Sequence, residues 1–96
     1  MKETIDKLID EGKFSQIIEM SENSKDTETV FARAFSFFSL GNNEECIEVI
    51  KNNFDELVKY DLYDVIKLHI MSLLELNKHQ EAYDALKKYR SEERRV

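Results

Sequence analysis

Proline is absent from the 96 residues, glycine occurs twice, cysteine once and tryptophan not at all. Without proline nothing breaks a helix from within, and two glycines cannot build a glycine-rich loop that cradles phosphate. The lone thiol, Cys46, closes no internal disulfide and assembles no thiolate cage around a metal, which agrees with a reducing compartment. No apolar run approaches the roughly 20 residues that a membrane span needs, and no cationic start leads into an apolar stretch. A membrane helix, a signal peptide and a membrane partner are therefore not expected. The expectation is one soluble, cytoplasmic domain over residues 1–96.

Cationic excess is lacking too. Lys and Arg number 14 against 20 Asp and Glu, a formal net charge of −6. The surplus acidity lies in residues 1–50, with 5 basic and 11 acidic side chains, whereas residues 51–96 hold 9 of each. Affinity for nucleic acid comes from counterions displaced by clustered Lys and Arg, so this balance argues against nucleic acid as the main ligand. The tail Arg90-Ser91-Glu92-Glu93-Arg94-Arg95-Val96 is the only Arg-rich stretch, and its two glutamates cancel much of that field.

Helical periodicity is what the chain has in abundance, and no segment alternates as a strand would. Ile5, Leu8 and Ile9 share a face until Gly12; Phe14, Ile17, Ile18 and Met20 resume the pattern until Ser21-Glu22-Asn23-Ser24 breaks it. Asp26 or Ser24 can cap a third helix carrying Val30, Phe31, Ala34, Phe35, Phe37, Phe38 and Leu40, which Gly41 ends. A fourth holds Cys46, Ile47, Val49 and Ile50, and a weaker segment with Phe54, Leu57 and Val58 reads as a short turn of helix leading to Asp61. The fifth presents Leu62, Val65, Ile66, Ile70, Leu73 and Leu74, and the sixth, after Asn77, presents Ala82, Tyr83, Ala85, Leu86 and Tyr89. The spacing thus predicts an all-α chain of about six helices in about three antiparallel hairpins.

Residues with catalytic chemistry do not assemble into a pattern. His69 and His79 are ten apart, not the i, i+4 pair of a helical metal site, and the carboxylates are scattered over helix faces, several with a basic residue four positions on (Glu3 with Lys7, Asp55 with Lys59, Asp84 with Lys88). Cys46 occupies a small-residue packing position, where a thiol acts as a small hydrophobe. No enzyme activity, metal or cofactor is expected.

Three helix-to-helix turns can be laid over one another: Gly12-Lys-Phe-Ser-Gln-Ile17, Gly41-Asn-Asn-Glu-Glu-Cys46 and Asn77-Lys-His-Gln-Glu-Ala82, with equivalent positions 29 and 36 residues apart. Gly or Asn tolerates the positive φ that ends one helix, and Asn42 with Glu45 and Asn77 with Gln80 have capping-box spacing for starting the next. On these residues, most clearly Leu40 to Cys46 and next Leu76 to Ala82, the chain resembles the tetratricopeptide repeat (TPR) family, whose period is about 34 residues. The repeats are degenerate: proline is missing, and Ile5 and Ile70 stand where the family has a small residue, though Ala34 fits.

The resemblance implies a short right-handed solenoid of stacked hairpins that binds proteins without chemistry of its own. It implies that the first helix of each hairpin lines a concave groove holding a partner's peptide or helix. Carried over by register, the groove positions are Lys2, Asp6 and Ile9; Glu28, Phe31, Phe35 and Phe38; and Asp64, Lys67, Met71 and Leu74. Converging Asp6, Glu28 and Asp64 would suit an apolar or amphipathic partner flanked by Lys or Arg. Arg33 and His69, at equivalent positions, are expected to bridge neighbouring helices or to reach the surface by their polar ends. The third helix is apolar over more than the stripe of roughly 100° that one packing face buries, so it is either a central helix packed on several sides or a surface awaiting a partner. Phe37 and Val30 read as core. Two other readings stay open: self-assembly through the third or sixth helix, giving a homo-oligomer, and a small helix-turn-helix DNA binder using Lys78, Lys87, Lys88 and Arg90. The sixth helix has no Gly stop, which leaves room for the chain to be a fragment of a longer repeat protein.

Overall fold

Three left-handed residues mark the corners of the chain. Gly12 (φ 72°), Gly41 (φ 82°) and Asn77 (φ 59°) each end a helix in one way. The corner amides donate to the carbonyls of Ile9, Phe38 and Leu74 at 3.0 Å, and the amides of Lys13, Asn42 and Lys78 donate to Leu8, Phe37 and Leu73 at 2.9, 2.8 and 2.9 Å. This double closure is the Schellman motif, and it satisfies carbonyls that a helix end leaves without partners. Each next helix then opens with Ile17, Cys46 or Ala82 donating to the carbonyl of Lys13, Asn42 or Lys78. The three corners therefore share one hydrogen-bond pattern.

The computed structural model describes residues 2–95, and side chains over 4–92. Within them the protein is all-α, with seven helices: α1 (Lys2–Asp10), α2 (Phe14–Ser21), α3 (Thr27–Ser39), α4 (Asn43–Asn52), α5 (Phe54–Tyr60), α6 (Leu62–Glu75) and α7 (His79–Arg95). The segment expected as a short turn is thus the complete helix α5. Asn53 turns its side-chain amide back onto the Val49 carbonyl at 2.8 Å, so the chain leaves α4 and re-enters a helix at once, driving Leu57 to full burial. None of the helices is long and apolar enough to cross a membrane among the described residues.

Asp26 caps α3, accepting from the Thr29 amide at 3.2 Å and its hydroxyl at 2.9 Å, and Asp61 caps α6 through the Asp64 amide at 3.1 Å. The capping boxes expected at Asn42/Glu45 and Asn77/Gln80 do not form. A capping box needs the backbone N–H of the N-cap residue, and at Asn42 and Asn77 that N–H is already spent on the Schellman closure, donating to Phe37 and Leu74. Gln80 instead donates forward to Asp84 at 3.2 Å. Lys88, expected beside Asp84, stands over the Phe54 ring at 4.3 Å.

Each hairpin packs within itself (α1 on α2, α3 on α4, α6 on α7). The second helix of one hairpin also packs on the first of the next (α2 on α3, α4 on α6), and α1 with α3 and α3 with α6 touch side by side. The helix α5 wedges against α3, α4 and α6. The main core joins Val30 and Ala34 of α3, Cys46 and Ile50 of α4, Leu57 of α5, Val65 and Leu68 of α6 and Tyr89 of α7, with Phe37 half-buried against it. Ser36 and Ser72, 36 residues apart, are fully buried and return their hydroxyls to the carbonyls four back, Ala32 and Leu68, at 2.7 and 2.8 Å. Such small, self-satisfied side chains let neighbouring helices approach closely without an orphaned polar group. A buried aliphatic such as Ile50 or Leu57 contributes about 1.5–3 kcal/mol.

Candidate functional site

The first helices of the second and third hairpins present matching stripes. Glu28, Phe31, Phe35 and Phe38 of α3 and Asp64, Lys67, Met71 and Leu74 of α6 have the same spacing and the same 36-residue offset as the corners. Between α3 and α6 lies a depression of about 340 Å³ lined by Phe31, Phe35, Phe38, Asp64, Lys67, Leu68 and Met71. Six of the eleven expected positions meet there, and Leu68 joins them. The sequence reading passed over Leu68, although it falls three after Val65 on the same helix face; its side chain belongs to the main cluster and floors the depression.

The three phenylalanines serve two roles at once. Each is half-buried, with part of its ring packed on the main core and part lining the depression, and Phe35 meets Phe14 edge to face at 5.9 Å. Met71 is 40% exposed, and its unbranched thioether can reshape to different apolar surfaces. Asp64 and Lys67 add one charge of each sign.

The remaining expected positions lie elsewhere. The carboxylate of Glu28 accepts from the Tyr60 hydroxyl at 3.1 Å, a partner supplied by α5; partial burial first, then this carboxylate, hold that phenol above its usual pKa. Asp6 is exposed on α1, Ile9 packs half-buried against the cluster of Ile5, Leu8 and Ile17, and Leu74 lies a turn past Met71, 43% exposed; none of the three lines the depression. Of the three carboxylates expected to converge, Asp64 alone stands on it. The side chain of Lys2 lies outside the described residues.

A second cavity of about 460 Å³ opens where α4, α5, α6 and α7 meet, with Lys51, Phe54, His69, Leu73, Asp84, Lys88 and Tyr89 among its walls. His69 and Tyr89 share a buried 2.7 Å hydrogen bond, and Tyr89 packs on Phe54 with centroids 5.3 Å apart. Burial first, then the charges of Lys51 and Lys88, push the His69 pKa down to about 4 against the opposing pull of Glu81, so the ring is neutral at neutral pH. Burial likewise pushes the Tyr89 phenol up. The periodicity marked Tyr89 only as an apolar-face residue; its pairing twenty residues back with His69 has no local signal.

Arg33 and His69 both bridge to a neighbouring helix. Arg33 Nη1 donates to the Ser21 and Glu22 carbonyls, both at 2.8 Å, closing the end of α2. Cys46 is fully buried beside Ser72, and burial raises its thiol pKa, which disfavours the reactive thiolate. Among the described residues no cluster of three or more His, Cys, Asp or Glu is placed to hold a metal ion. The chain matches no protein-family model, no curated protein and no solved structure.

Proposed function

We propose that the protein is a non-catalytic interaction module, a TPR-like right-handed stack of three helical hairpins whose α3/α6 depression holds a peptide or helix of a partner protein. The observation that carries this reading is the depression itself, walled by three aromatic rings from α3 and by Met71 and Leu68 from α6. The stack is supported by the three matching corners and by the order in which the helices touch, with α5 as an insertion that lengthens the second repeat. Asp64 and Lys67 beside the apolar floor offer one charge of each sign, which suits an amphipathic partner segment, and complementary charge of this kind mainly sets register and association rate.

Selection from a displayed peptide library, run in parallel on the wild type and on Met71→Glu, tests the reading. The wild type is expected to enrich apolar or amphipathic peptides. The variant is expected to retain the same helical content and melting temperature while losing them, because Met71 is exposed and its replacement buries no charge. Enrichment of nothing, or of the same peptides by both proteins, contradicts it.

A further inference from the structure

The bridge that joins the first two hairpins is replaced between the second and the third. Arg33 of α3 reaches back across the end of α2, donating to the Ser21 and Glu22 carbonyls. Its equivalent 36 residues on, His69, has a shorter side chain and turns to Tyr89 of α7 instead, at 2.7 Å. The end of α4 therefore takes no hydrogen bond from His69, and α5 starts there with Phe54. What remains is the cavity of about 460 Å³ bounded by α4, α5, α6 and α7, within the roughly 300–1,000 Å³ that small-molecule sites occupy. All four walls belong to the described chain, so no further residues are needed to form it.

The walls are aromatic and carry charges of unequal availability. Tyr89 is buried, with the Phe54 ring 5.3 Å and the His69 ring 5.6 Å from it, and Leu73 and Ala85 extend the apolar surface. Four charged side chains line the same cavity, two of each sign. Glu81 lies 4.0 Å from the Lys78 ammonium, and Asp84 accepts from the Gln80 amide at 3.2 Å. Among the described residues neither Lys51 nor Lys88 has an acidic partner, and Lys88 rests over the Phe54 ring at 4.3 Å. The two lysines also outweigh Glu81 in their action on His69, so the field at that wall is positive. We propose that this cavity, separate from the α3/α6 depression, binds a small aromatic carboxylate, its ring packed among Phe54, His69 and Tyr89 and its anion set by Lys51 and Lys88. Ring-to-ring contacts favour a flat body, and the lysines select an anion over a neutral or cationic analogue.

Isothermal titration calorimetry with 2-naphthoate, 2-naphthamide and 2-naphthylmethylamine tests it, since the three share one ring system and differ in charge. The carboxylate is expected to bind saturably, the amide about threefold or more weakly, and the amine more weakly still. Lys51→Gln and Lys88→Gln are each expected to weaken 2-naphthoate about threefold to fivefold while leaving the amide within about twofold, the loss that one exposed charge pair supports. Both lysines are exposed, so the circular dichroism melt is expected to be unchanged in either variant. The proposal is overturned if 2-naphthoate shows no saturable binding, if the amine binds as well as the carboxylate, or if neither lysine substitution weakens the carboxylate. Loss in Lys67→Gln with retention in Lys51→Gln and Lys88→Gln overturns it as well, because the anion then sits in the α3/α6 depression.

Discussion

His69 shows how one buried side chain ties two helices and makes the fold sensitive to acid. Its pKa, about 4 in the folded protein against 6.5 unfolded, means that the unfolded chain binds the extra proton first. Stability from the neutral ring is therefore complete above about pH 6.5 and is lost as pH falls towards 4. At about 1.4 kcal/mol per unit the whole span is on the order of 3 kcal/mol. We expect the urea midpoint to drop between pH 7 and pH 5 in the wild type and to drop much less in His69→Gln, which keeps a partner for the Tyr89 hydroxyl. Equal slopes would contradict this account. At this scale the sequence revealed residue types better than partners. The small residues at the corners, Cys46 and Ala82, were legible because helix approach demands size alone, but the pairings of Tyr89 with His69 and of Glu28 with Tyr60 arise from tertiary placement that no local spacing encodes.

At the scale of elements, the corners decide where the helices stop. No heavy atom lies within 4 Å of a Cβ built on Gly41, so replacing it tests backbone strain without a clash. Gly41→Ala is expected to cost about 1 kcal/mol through the left-handed φ, and Asn77→Gly to be neutral or slightly stabilising, both read from urea midpoints. A neutral Gly41→Ala would remove the strain argument. The helical class and the corners at Gly12, Gly41 and Asn77 were readable because periodicity and positive-φ residues are local signals. The helix α5 was less so: its seven residues give only two turns of pattern, and its existence depends on Leu57 finding the core. The capping boxes were misread because one N–H was assigned two acceptors, and the Schellman closure takes it.

At the scale of the whole molecule, the chain carries its excess negative charge in residues 1–50, whereas the α3/α6 depression itself holds one charge of each sign, Asp64 and Lys67. The α3/α6 stripes were legible from repeat register, since Phe31, Phe35, Phe38, Asp64, Lys67 and Met71 follow from it, while Asp6 and Leu74 fall outside because register gives a face and not the depth of a groove. The most direct measurement is a methyl and amide NMR titration of the labelled protein with a selected apolar or amphipathic peptide. The account predicts shifts concentrated at Phe31, Phe35, Leu68 and Met71, with weaker binding at higher salt. Saturable binding whose shifts map to α7, or spread without focus over the surface, would contradict it.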